Sequence, residues 1–131
     1  MYRKISLLFV LVFVVVAISG CTQPNDDMLY INIGDTIPTE MCYSDGFRER
    51  VTIFYSTMCP ACKATLPRLQ LLEAKLIEVE FEYITLDSEE GRERIKELKI
   101  SPYYVPTVII NCVAYGSMQQ QEYEDLISRT R

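Results

Sequence analysis

Three observations predict an α/β fold. Residues 51–55 (VTIFY) and 106–110 (PTVII) are compact β-branched runs of the kind found in buried strands. Residues 78–83 (EVEFEY) alternate strictly, as a half-exposed strand does. Between and after these lie segments with apolar residues at helical spacing.

Taken in order, residues 29–33 suit a short strand, and the stretch up to Arg50 has no strong periodicity. After the 51–55 strand, Pro60 fits a first helical position, where a missing N–H costs nothing. Leu69, Leu72 and Leu76 continue a helix over about 59–77, with Pro67 expected to kink it. The 78–83 strand extends through 84–86. Asp87 with Glu90 three residues on forms a capping-box pattern that opens a charged helix to about Leu98. The acidic run 87–97 is a solvated face of that helix. Residues 113–115 form a fourth strand across a tight turn at Asn111-Cys112. Ser117 with Gln120 suggests another capping box, and Tyr123, Leu126 and Ile127 give the last helix its apolar face. The resulting order is β-α-β-α-β-β-α.

The chain has 131 residues, a net charge of −5, 49% hydrophobic and 24% charged residues, which is the balance of one globular domain. Clustered positive charge for a nucleic-acid partner is absent. Histidine is absent too, which removes the usual general base, the Ser-His-Asp and Cys-His arrangements, and most imidazole metal sites. The five cysteines are the residues able to carry chemistry.

At the N-terminus, Arg3 and Lys4 precede an apolar run over 7–18. As a helix that run reaches only ~18 Å, short of the ~30 Å hydrocarbon core, so it reads as an export signal. Ile18-Ser19-Gly20-Cys21 resembles the lipobox of prokaryotic lipoproteins, in which the signal is cut before the cysteine and the sulfur is lipidated. The other reading is an uncleaved anchor, or an ordinary signal followed by an incidental cysteine. The predicted organisation is a signal peptide over 1–20, a lipidated Cys21 and tether over 21–28, and a folded domain over 29–131. The domain is then expected on the extracytoplasmic side of the cell membrane, where disulfides persist.

Cys59-Pro60-Ala61-Cys62 lies where the 51–55 strand passes into a helix. A sulfur there faces unpaired N–H groups and the positive end of the helix dipole. Both favour the thiolate, the attacking species in disulfide exchange. A second cysteine one turn on is placed to resolve the mixed disulfide. Two other uses of the pair are an inert disulfide and half of a zinc site, with Cys42 and Cys112 as the remaining ligands. Neither accounts for the position between a strand and a helix.

The segment VTIFYSTMCPACKATLP resembles the active-site segment of the thioredoxin family: strand, CxxC, lysine, then a proline five residues after the second cysteine. Val105-Pro106-Thr107 resembles the same family's cis-proline loop. The resemblance runs from Val51 to the C-terminus. It implies a central mixed four-stranded sheet flanked by helices, Cys59 as nucleophile and Cys62 as resolving cysteine. It also implies a cis peptide bond before Pro106 and a substrate-binding surface at Met58, Val105 and Pro106, with Val105 offering its backbone to a bound peptide. No separate cofactor and no metal are implied, because the cysteine pair carries the electrons. The implied partners are exported proteins with cysteines or disulfides, and a membrane redox protein.

The sequence departs from the family pattern in three places. Thioredoxin's buried aspartate, six residues before the first cysteine, is Ile53 here; its tryptophan before that cysteine is Met58; and the periplasmic oxidants' histidine between the cysteines is missing. Lys63 reads as a solvated helix residue that can also favour the thiolate, and Tyr103 and Tyr104 read either as groove-lining or as partly buried. With Cys21 set aside, Cys42 and Cys112 remain and are expected to form a structural disulfide, the alternative being a second redox pair that relays electrons to Cys59 and Cys62. The functional expectation is a membrane-tethered thiol–disulfide oxidoreductase. Its rival is a thioredoxin-like binding module that holds a client or a metal without turnover.

Overall fold

A computed structural model describes residues 27–130. The expected signal segment and Cys21 lie outside the described residues.

The chain runs β1 (Leu29–Ile31), α1 (Thr39–Ser44), β2 (Arg50–Tyr55), α2 (Pro60–Lys75), β3 (Glu80–Thr85), α3 (Glu89–Leu98), β4 (Ile100–Pro102), β5 (Thr107–Ile110), β6 (Val113–Tyr115) and α4 (Gln120–Arg129). The main sheet has the order β3-β2-β5-β6. β2 pairs parallel to β3 and antiparallel to β5, and β5 pairs antiparallel to β6, so the sheet is mixed and four-stranded as expected.

Side-chain alternation along β2 and β5 divides the core between the two faces of this sheet. Val51, Ile53, Val108 and Ile110 pack with Leu69 and Leu72 of α2 and Tyr123 and Ile127 of α4. Phe54 and Ile109 face the other way, toward Ile95 and Leu98 of α3, Ile31, Ile100 and the α1 segment. Burying side chains on both faces explains why 51–55 and 107–110 read as continuous apolar runs. β3 is an edge strand, and its Glu82 is held in ion pairs. Glu82 lies between Arg94, whose Nε is 2.6 Å from Oε1, and Arg50, whose Nε is 2.8 Å from Oε2. The Arg50 Nε–H itself points at Thr52 Oγ1 (3.3 Å), so its contact with Glu82 is Coulombic and not a hydrogen bond.

Two elements appear that the sequence does not announce, and two capping expectations are corrected. α1 fell in the stretch without periodicity; its six residues are too few to show any. β4 was not anticipated, and it pairs parallel to β1 in a separate two-stranded sheet. Asp87 does not cap α3. Ser88 does, its Oγ accepting the Gly91 N–H at 3.0 Å, while the Asp87 carboxylate turns to another loop. At α4, Gln119 is the N-cap and Glu122 accepts its backbone N–H at 2.7 Å, while Ser117 Oγ is hydrogen-bonded to Thr65 Oγ1 at 2.7 Å.

Two backbone positions fix how elements meet. Gly91 lets α3 lie against the end of β3, because a Cβ there would overlap the Thr85 carbonyl. Asn111 (φ 47°) and Cys112 (φ 68°) are both left-handed, which is the geometry of a two-residue hairpin turn matched to strand twist.

Candidate active site

The geometry at Cys59 follows from its being the residue that caps α2. Cys59 is extended (φ −87°, ψ 118°), Pro60 occupies the first helical position, and the Cys59 sulfur accepts the Cys62 backbone N–H at 3.2 Å. One orphan donor of the helix start is thereby aimed at sulfur, an arrangement that stabilises negative charge there. The Cys59 thiol also lies 3.5 Å from the Val105 carbonyl, to which it donates. That contact places the 105–107 loop directly over the cysteine, and the Val105–Pro106 peptide bond is cis. Thr107, buried at the start of β5, donates from Oγ1 to the Tyr104 carbonyl at 2.6 Å and ties the loop to the sheet.

The two sulfurs are not equivalent. Cys59 is half-buried and Cys62 fully buried, and both are free thiols. Burial first, then the hydrogen bond to Cys59, pushes the Cys62 thiol up to about 11. The Ser56 backbone, hydrogen-bonded to Cys62, opposes this, while the charges of Cys59 and Asp87 add to it. Cys62 therefore holds its proton and offers it toward Cys59. At pH 8 roughly one part in a thousand of such a thiol is ionised. In the reduced native protein, iodoacetamide at pH 8 should thus modify Cys59 and spare Cys62, and a denaturant should expose the second site. Equal modification of both by mass would contradict this asymmetry.

Ahead of Cys59 the chain is pinned from the surface. Ser56 Oγ donates to Asp87 Oδ1 (2.8 Å), and the Thr57 N–H and Oγ1 both donate to Asp87 Oδ2 (2.5 and 2.7 Å). Ser56 in turn accepts the Cys59 N–H at its carbonyl (3.3 Å) and the Met58 N–H at its hydroxyl (3.2 Å). The Thr57 hydroxyl, then the Thr57 N–H and the Ser56 hydroxyl, hold the Asp87 carboxyl below the usual carboxylate range. The Asp87–Glu90 spacing points to a helix cap and not to this role, which only the three-dimensional return of the β3 end to the β2 end discloses.

Around the sulfurs the surface is apolar and open. Met58 is 81% exposed, and Tyr103 and Tyr104 are 59% and 64% exposed. Tyr103 leans on Tyr30 with ring centroids 5.5 Å apart, so the tyrosines are surface residues and not core. Lys63 is exposed on α2. Val105 is half-buried and Pro106 buried. Ile53, in the place of the family's aspartate, is fully buried among Leu69, Leu72 and Val108. Cavities of about 400 and 510 Å³ lie elsewhere, and neither has Cys59 or Cys62 in its lining.

Cys42 and Cys112 are joined by a disulfide, with Cα atoms 5.6 Å apart. It ties α1 to the β5–β6 turn and is buried in the core on the α3 side of the sheet. With those sulfurs bonded to each other, a four-cysteine zinc site lacks its second pair. Among the described residues there is no group of three or more residues able to hold a metal ion. β5 separates this disulfide from the 105–107 loop by about 13 Å of strand.

No protein-family model and no curated protein matches the chain. Among solved structures it is similar to dsbF of MTB, with 15% identity over 73% of this chain and 100% of that one and a TM-score of 0.50. It is also similar to thioredoxin of Fasciola hepatica, with 19% identity over 66% of this chain and 86% of that one and a TM-score of 0.48. At 15% identity the likeness to dsbF concerns architecture, and together with the mixed β3-β2-β5-β6 sheet it identifies the chain's fold as thioredoxin-like.

Proposed function

We propose that the protein is a thiol–disulfide oxidoreductase that exchanges disulfides with other proteins through Cys59 and Cys62. The observation that carries this reading is the unequal pair: a half-buried Cys59 sulfur at a helix N-terminus, backed by a buried Cys62 thiol that keeps its proton. A structural disulfide needs no such asymmetry.

In the reducing direction, the Cys59 thiolate attacks one sulfur of a substrate disulfide. A Cys59–substrate bond forms, and the other substrate sulfur leaves as a thiolate. Cys62 then gives up its proton to solvent or to the departing thiolate and attacks the Cys59 sulfur. The Cys59–Cys62 disulfide forms, the second substrate thiol is released, and two electrons have passed to the substrate. The oxidising direction is the same sequence reversed. The Val105 carbonyl, on the loop that carries the buried Pro106, and the open surface at Met58 are where the substrate chain would lie, and that surface suits an extended polypeptide better than an enclosed small molecule.

The finer reading places the enzyme on the extracytoplasmic side of the cell membrane, held by a lipid on Cys21, acting on exported proteins and recharged by a membrane redox protein. It rests on the basic start, the 7–18 apolar run and the lipobox-like Ile18-Ser19-Gly20-Cys21. Among the described residues no helix is long and apolar enough to cross a membrane. The reading of Cys42–Cys112 as structural belongs with it. The test of the activity is catalysed reduction of a disulfide-bonded test protein in the presence of a thiol donor, with Cys59→Ser as the control.

A further inference from the structure

Asp87 is an exposed carboxylate that caps no helix among the described residues, yet it takes three hydrogen bonds from the two residues that lead into the cysteine pair. Those residues are themselves built into the site. The Ser56 carbonyl accepts the Cys59 N–H, the Ser56 hydroxyl accepts the Met58 N–H, and the Ser56 backbone reaches the Cys62 sulfur. The link joins the β3–α3 corner to the β2–α2 corner, 30 residues apart in sequence. Among the described residues it is the acidic group hydrogen-bonded to this segment, and Ile53 on β2 is a fully buried aliphatic side chain.

From this geometry we propose that Asp87 is a positioning residue that sets the redox poise of the Cys59–Cys62 pair, clamping the 56–57 segment with hydrogen bonds and holding a negative charge on the residues that lead into the pair. The inference rests on the oxidoreductase reading above. Its sign follows from charge. Ionisation of the reduced pair stabilises it relative to the neutral disulfide, and a nearby carboxylate opposes that ionisation, so it disfavours the reduced state relative to the oxidised one. Removing that charge shifts the equilibrium toward the dithiol. The support from titration agrees in direction, since the Asp87 charge is among the causes that raise Cys62.

The experiment is an equilibrium titration of the full chain in glutathione buffers at pH 7, comparing the parent with Asp87→Asn and Asp87→Glu. The oxidised fraction is read by alkylation and mass, and a thermal melt is recorded for each. Asp87→Asn keeps the size and one acceptor oxygen and loses the charge. It should move the equilibrium constant threefold to tenfold toward the dithiol, a potential less negative by about 15–30 mV. Asp87→Glu keeps the charge and should stay nearer the parent. A role confined to stability would lower the melting temperature of Asp87→Asn and leave its equilibrium constant equal to the parent's, and that result would overturn the inference. If the parent itself does not exchange, the oxidoreductase reading fails, which is a different outcome in the same buffers.

Discussion

Cys59→Ser is expected to abolish disulfide exchange while leaving the fold intact. A hydroxyl can still accept the Cys62 N–H at the α2 start, so the cap is kept. What is lost is the sulfur that forms the first bond to substrate, and Cys62 is no substitute, being fully buried with its thiol pushed up to about 11. Turnover of a disulfide-bonded test protein should fall to the uncatalysed rate, with a melting temperature close to the parent's. Cys62→Ser should differ in kind: the first attack proceeds, resolution fails, and a Cys59–substrate disulfide accumulates that a reductant releases. Residual turnover in Cys59→Ser would show that the chemistry runs elsewhere.

Removing the Cys42–Cys112 bond, as Cys42→Ala with Cys112→Ala, has the largest expected effect on stability. The bond closes a loop across a sequence separation of 70 residues, worth ~4 kcal/mol on the chain-entropy account. It also holds α1, a six-residue helix too short to persist alone. For a domain near this size the melting temperature should drop on the order of 15 °C or more. Exchange measured well below the new melt should persist, because this sulfur pair sits at the far end of β5 from Cys59. A variant that stays folded yet loses exchange would identify the bond as an electron relay instead.

The parts of this protein that were legible in the sequence are those whose cause is local. β2, the CPAC turn and α2 follow one another as a β-branched run, a proline at the first helical position and leucines at helical spacing, each of which acts within a few residues. The Asn111-Cys112 hairpin turn is local in the same sense. Illegible features depend on distant partners. Asp87 and Ser88 are adjacent and both able to cap a helix; the choice between them is made by Ser56 and Thr57, which occupy the Asp87 carboxylate. Ser117 is likewise drawn from capping α4 by Thr65, 52 residues away. β4 is three residues ending in proline and exists only because β1 lies beside it. As for the site, its cysteines stood out by position alone, whereas the cis bond before Pro106 came from the family resemblance and the Asp87 clamp from the folded structure.

The central claim is that Cys59 and Cys62 form a pair that cycles reversibly between dithiol and disulfide. Equilibrating residues 22–131 across glutathione buffers and reading the alkylation state of both cysteines by mass tests it most directly. The account predicts a single two-electron transition confined to Cys59 and Cys62, with Cys42 and Cys112 bonded throughout. A midpoint near −270 mV would make the protein a reductant, and one near −120 mV an oxidant. A pair that never changes state across that window would contradict the account and leave a thioredoxin-like domain that binds without turnover.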